Sequence, residues 1–103
     1  MVLDRWQKLS IAEQLGHIGS EVSRVSSWRK RGDIKAADLA LVRALELLDL
    51  TIADKRWQPR LKELARLREV VCDFFQEKPS YKTELASLER YFLNFAIFWR
   101  DKP

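Results

Sequence analysis

Apolar residues recur at intervals of three and four along most of the chain, and no stretch sustains the strict alternation of a half-buried strand. Ile11, Leu15, Ile18, Val22 and Val25 fall on one helical face. Ser10 and Glu13 have the spacing of a capping box, and Gly32 suits the left-handed residue just past a helix end. The pattern predicts a first helix over 10–31, preceded by a short turn over 3–8. Asp33 can cap a second helix, whose body from Ile34 to Ala53 is apolar nearly all round. Lys35, Asp38, Glu46 and Asp49 form only a narrow polar stripe on it, with Val42 in the middle. A helix apolar on most sides is covered on most sides, so this one is expected to be the most buried element.

Pro59 fits the first turn of a third helix, where its missing amide costs nothing, and Leu61, Leu64, Leu67, Val71 and Phe74 line the inner face. Pro79 and Ser80 end it. Ser80 or Thr83 can cap a fourth helix with a seam of Leu85, Leu88, Phe92, Phe95 and Trp99. Short connections force consecutive helices to lie antiparallel. The expected fold is all-α: an antiparallel up-down-up-down four-helix bundle, with room for a short extra N-terminal turn or helix, built as a single domain over 1–103.

Composition narrows the function more than the fold. With 103 residues, 47% hydrophobic, 33% charged, and only 3 Gly and 3 Pro, the chain is too apolar for disorder and too poor in turn residues for a loop-rich β domain. A single Cys excludes a disulfide framework and a cysteine zinc site, and a single His excludes most metal centres. His17 has Glu13 and Glu21 four residues to either side, but a di-metal bundle needs two Glu-x-x-His motifs, and this chain has none; the three residues read as a solvated face. Cys72, near Leu61, Ala65 and Arg68 along its helix, reads as a structural thiol without a histidine partner. No nucleophile elbow or phosphate-binding glycine loop is present. No catalytic activity, cofactor or metal is expected. Arg68 is expected to pair with Glu46 or Asp49 across helices, a ligand pocket in the bundle wall being the alternative.

The opening residues lack the basic-then-apolar pattern of a signal peptide, and the longest uncharged apolar run, Tyr91–Trp99, falls far short of the roughly 20 residues of a spanning helix. The expected compartment is the cytoplasm, with no membrane association.

Three features point outward. Ala12, Gly16, Gly19 and Ser23 form a stripe of small residues beside the apolar seam of the first helix. Such a stripe lets another helix approach closely, either within the monomer or across a dimer. Tyr91, Phe92, Phe95, Phe98 and Trp99 are more aromatic surface than one inner face of a small bundle buries easily. Gly16, Gly19, Tyr91, Phe95, Phe98 and Trp99 are therefore candidate interface residues of a homodimer, a larger intramolecular core being the alternative. Lys and Arg outnumber Asp and Glu by 19 to 15, giving a net charge of +4. In an alternating bundle Arg5, Trp6, Lys55, Arg56, Trp57, Arg60, Lys62 and Arg100 gather at one end. Cations interleaved with flat rings suit a phosphate backbone with stackable bases. The same residues also suit a hydrophobic plug with a charged rim.

The runs Lys8–Gln14, Ile18–Val22, Arg43–Thr51 and Leu67–Val70 resemble a family of small all-helical prokaryotic proteins, over about residues 6–98. That resemblance implies a helical fold and brings no activity with it. The chain is more loosely similar to HEPN domains, helical bundles that are frequently dimeric and accompany nucleotidyltransferases. Ribonuclease members carry an Arg-x(4–6)-His motif; here the nearest Arg before His17 is Arg5, too far away, so the likeness implies a non-catalytic bundle. The expected function is a non-enzymatic interaction module that dimerises and binds a protein partner. The alternatives are a nucleic-acid-binding accessory protein using the basic Trp-containing end, or a HEPN-like partner of a nucleotidyltransferase.

Overall fold

The computed structural model describes residues 3–75 together with Arg90 and Phe92. Every regular element among them is helical: α1 (Leu3–Gln7), α2 (Ile11–Lys30), α3 (Ile34–Ala53), a 3-10 turn (Lys55–Arg60) and α4 (Leu61–Phe74). The molecule is an all-α bundle in which α2 and α3, the two long helices, pack against each other. The turn expected at the N-terminus is the short helix α1. No described helix is long and apolar enough to cross a membrane.

The start and end of α2 follow the local chemistry. Ser10 Oγ accepts from the Glu13 amide at 3.1 Å, and Glu13 Oε1 accepts from the Ser10 amide at 3.0 Å. Gly32, at φ 80°, turns the chain out of the helix. The Gly32 amide donates to the Arg29 carbonyl and the Asp33 amide to the Trp28 carbonyl, both at 3.0 Å, which satisfies carbonyls of the last turn. Asp33 then caps α3 by accepting from the Ala36 amide at 3.0 Å. One short link thus closes one helix and opens the next, and the two must fold back on each other.

The apolar seam of α2 is buried as expected, from Ile11 through Val25. Against it α3 presents mostly small side chains: Ala37, Ala40 and Ala44, followed by Leu48 and Thr51. Small residues at the contact let the two backbones come close. The consequence corrects the expectation for α3. Its alanine face is the buried one, and Ile34, Leu39 and Val42 stand 58%, 53% and 50% exposed on other sides. It is not an all-round core helix.

The third helix also begins differently. Asp54 accepts from the Arg56 amide at 3.0 Å and starts a 3-10 turn that contains Pro59, so α4 begins only at Leu61. Leu64, Leu67 and Val71 are buried, whereas Leu61, beside the turn, is exposed and Phe74 is half-buried. The buried aromatic is instead Phe75, set edge-on to Phe74 at 4.7 Å. Arg29, near the end of α2, donates to the Phe75 carbonyl at 2.9 Å and lies over its ring at 5.1 Å. Trp57, just before α4, bonds to Gln14 near the start of α2. The chain therefore alternates in direction: α4 runs with α2 and against α3. Of the expected fourth long helix, Arg90 and Phe92 are helical and Phe92 is buried; the remainder, with Leu85, Leu88, Phe95 and Trp99 of its seam, lies outside the described residues.

Candidate functional site

The 3-10 turn and α1 meet at the end of the bundle where the sequence gathers tryptophans and cations. Trp6 is fully buried there, and its indole Nε1 donates to Thr51 Oγ1 at 3.0 Å. The Trp6 carbonyl accepts from Gln14 Nε2 at 2.8 Å, and the same amide nitrogen reaches Asp54 Oδ2 at 3.3 Å. Gln14 Oε1 in turn accepts from Trp57 Nε1 at 3.0 Å. One buried amide thus ties α1, α2, the end of α3 and the turn together. A buried polar group is stable only when its donors and acceptors are used, and here most of them are.

Asp54 organises the charged half of this cluster. Arg56 donates to it through Nε at 3.1 Å and through Nη2 at 2.7 Å, and Nη2 also bonds the Leu9 carbonyl at 2.8 Å. The guanidinium lies 4.5 Å over the Trp57 ring. Burial alone would push the Asp54 carboxyl up. The hydrogen bonds from the Arg56 guanidinium, the Arg56 amide and Gln14 outweigh it and hold the group below its ordinary value of 3.8.

Of the residues expected to bind an anion or nucleic acid, Trp6 therefore has no exposed ring face to stack on a base, because its indole is consumed in the core. Arg56 is exposed at its edge but engaged by Asp54 and Leu9. Trp57 is half-buried under it. Arg60 is half-buried, 3.9 Å from Glu63. Arg5, Lys55 and Lys62 are exposed, and Arg100 lies outside the described residues. Gln14, Thr51 and Asp54, which hold the end together, were not among the expected site residues. Gln14 and Thr51 were marked by one signal: each is a polar residue at a position the helical spacing assigns to the apolar face, three residues after Ile11 and Leu48.

The expected interface residues divide differently. A Cβ on Gly19 would meet Phe92 carbons at 3.8 Å, so this part of the small-residue stripe faces the chain's own C-terminal segment. A Cβ on Gly16 would meet nothing within 4 Å. Tyr91, Phe95, Phe98 and Trp99 lie outside the described residues.

Glu13, His17 and Glu21 serve separate purposes. Glu13 belongs to the capping box, and hydrogen bonds from Ser10 hold its carboxyl below the ordinary value. His17 is exposed, with its ring 6.0 Å from that of Trp6. Glu21, expected on a solvated face, is buried; it pairs with Arg24, and its Oε2 has no partner among the described residues. Arg68 does find Asp49, Nε to Oδ1 at 2.8 Å, but both side chains are substantially exposed. Its Nη1 lies 3.7 Å from the half-buried Cys72 sulfur.

A different region is left with capacity to bind. On α3, Lys35, Leu39, Val42 and Glu46 follow one another at spacings of four, three and four, which places them in one stripe, and all four are exposed. Neither Lys35 nor Glu46 has an ion-pair partner among the described residues. Comparison with family models, with curated proteins and with solved structures finds no match.

Proposed function

We propose that the chain is a non-enzymatic interaction module, a small helical bundle that dimerises and binds a protein partner. The observation that carries this reading is the outward stripe of α3. Leu39 and Val42, about half exposed, sit between Lys35 and Glu46, which have no ion-pair partner among the described residues. Apolar side chains gathered in one exposed stripe and rimmed by charge mark protein contact surfaces more often than lone exposed aliphatics do. The basic Trp-containing end supports nucleic-acid binding less well, since its tryptophans and Arg56 are spent on internal bonds.

A photoreactive residue placed at Val42 tests this in cells that express the protein, with the same residue at the exposed Ser20 of α2 as the control. Val42 is expected to give discrete polypeptide adducts, of itself or of another protein, that Ser20 does not. Equal labelling from the two positions overturns the reading.

A further inference from the structure

The α3 stripe reads as the reverse of itself. Its order is Lys35, Leu39, Val42, Glu46, so a second copy laid antiparallel presents Glu46, Val42, Leu39, Lys35 at the same levels. The midpoint falls between residues 40 and 41. At 1.5 Å of rise per residue, Lys35 and Glu46 each lie about 8 Å from it along the axis. In this register Leu39 of one copy lies level with Val42 of the other, and Lys35 lies level with Glu46 at both ends. The spacing of four, three and four is that of helices packing side by side at a shallow angle.

Resting on the reading of the chain as an interaction module, we propose that the occupant of this face is a second copy of the chain, docked α3 to α3 antiparallel about a twofold axis between residues 40 and 41. A twofold interface must be complementary to itself, and few stretches are. Here the aliphatic pair is symmetric in size and the flanking charges are opposite in sign, so both requirements are met by the same four residues. A parallel arrangement would set Lys35 on Lys35 and Glu46 on Glu46. Asp49, a turn further on, is already held by Arg68 and does not compete for Lys35. The stripe is one helix wide, so its contact is expected to fall below the roughly 1,200 Å² of a standard interface and the dimer to be weak.

Sedimentation equilibrium across a wide concentration range, with charge-reversal variants, decides the matter. Lys35→Glu and Glu46→Lys each put like charges together at both ends, and each should weaken the dimer by about tenfold at low salt. The double variant Lys35→Glu/Glu46→Lys should restore the wild-type dissociation constant. Val42→Asp should abolish the dimer. All these side chains are exposed in the monomer, so thermal melts at dilute concentration should hardly change. A chain that stays monomeric to about millimolar concentration overturns the proposal, as does a dimer indifferent to Val42→Asp. Single variants that weaken the dimer without rescue in the double also overturn it. If the chain is monomeric while Val42 still crosslinks to a different polypeptide, self-pairing fails and the broader reading as an interaction module stands.

Discussion

The turn between α3 and α4 and the outward stripe of α3 handle their side chains in opposite ways. Around the turn, Trp6, Gln14, Thr51, Asp54, Arg56 and Trp57 satisfy one another, and little hydrogen-bonding capacity is left for a ligand. Along α3, Lys35, Leu39, Val42 and Glu46 face solvent, with no ion pair for either charge among the described residues. The two regions show that residue type alone does not identify a binding surface. Arginine and tryptophan recognise anions and bases only when their donors and ring faces are free, and aliphatic residues stabilise a monomer only when something covers them.

The sharpest separation of the two regions is by stability. Trp6→Ala empties a fully buried site and should cost about 3–5 kcal/mol in urea unfolding, whereas Val42→Ala should move the dilute monomer by less than about 0.5 kcal/mol. Trp6→Phe keeps most of the ring but strands the Thr51 hydroxyl, and should cost about 1–3 kcal/mol. Equal losses at Trp6 and Val42 would erase the distinction.

Asp54 is next. Deleting one member of a buried ion pair costs about 3–5 kcal/mol, but the Arg56 side chain is 41% exposed and water screens it, so Asp54→Ala should cost nearer about 2 kcal/mol. The acid dependence follows from the sign of the shift. The folded carboxyl is held below its ordinary value of 3.8, so its contribution is complete above the unfolded value and is lost as pH falls through the folded one. Asp54→Asn should therefore lower the unfolding midpoint at neutral pH, and the gap to wild type should narrow as the pH falls below 3.8. A gap that persists unchanged into acid would show that the ionised form is not what stabilises the turn.

The glycines of α2 give a smaller effect of opposite sign. Gly16→Ala fills open space on a helix and should raise stability by about 0.5–1 kcal/mol. Gly19→Ala meets Phe92 at ordinary contact distance and should do the same, while Gly19→Leu must displace Phe92 and should lose about 1–3 kcal/mol. Loss of stability in Gly16→Ala would mean that something covers this position.

The parts of this architecture that were legible in the chain are those with a local cause. The Ser10–Glu13 box, the glycine at 32, the cap at Asp33 and the seam of α2 depend on residues a few positions apart, and their spacing suffices to place them. The polar stripe of α3, with Val42 in it, was legible and is exposed; that Ile34 and Leu39 also face out was not, because alanines and larger aliphatics both count as apolar. Which of them turns inward is settled by how closely α2 can approach, a tertiary quantity. The internal bonds of the basic end were not legible for a related reason. Gln14 and Asp54 lie 40 positions apart, and only the fold brings the amide to the carboxylate that already holds Arg56. The aromatic cluster of the C-terminal segment lies largely outside the described residues and leaves the interface expected there as it stood.

Arg68 and Asp49 provide the smallest and most discriminating comparison, because they look like the Arg56–Asp54 pair and differ from it in setting. The Nε-to-carboxylate distances are similar, 2.8 Å against 3.1 Å, but Asp49 is 58% exposed and Asp54 only 3%. Coulomb attraction at equal distance is weakened by the surrounding water, and an exposed pair also spends side-chain entropy to hold its geometry. Arg68→Ala should therefore cost less than about 1 kcal/mol, and that cost should vanish in 1 M salt. Arg56→Ala should cost more and keep most of its effect in salt, because it takes the guanidinium donors from a buried carboxylate and from the Leu9 carbonyl. If the two arginines prove equivalent in size and salt dependence, the turn is held by apolar burial of Trp6 rather than by the Arg56–Asp54 pair.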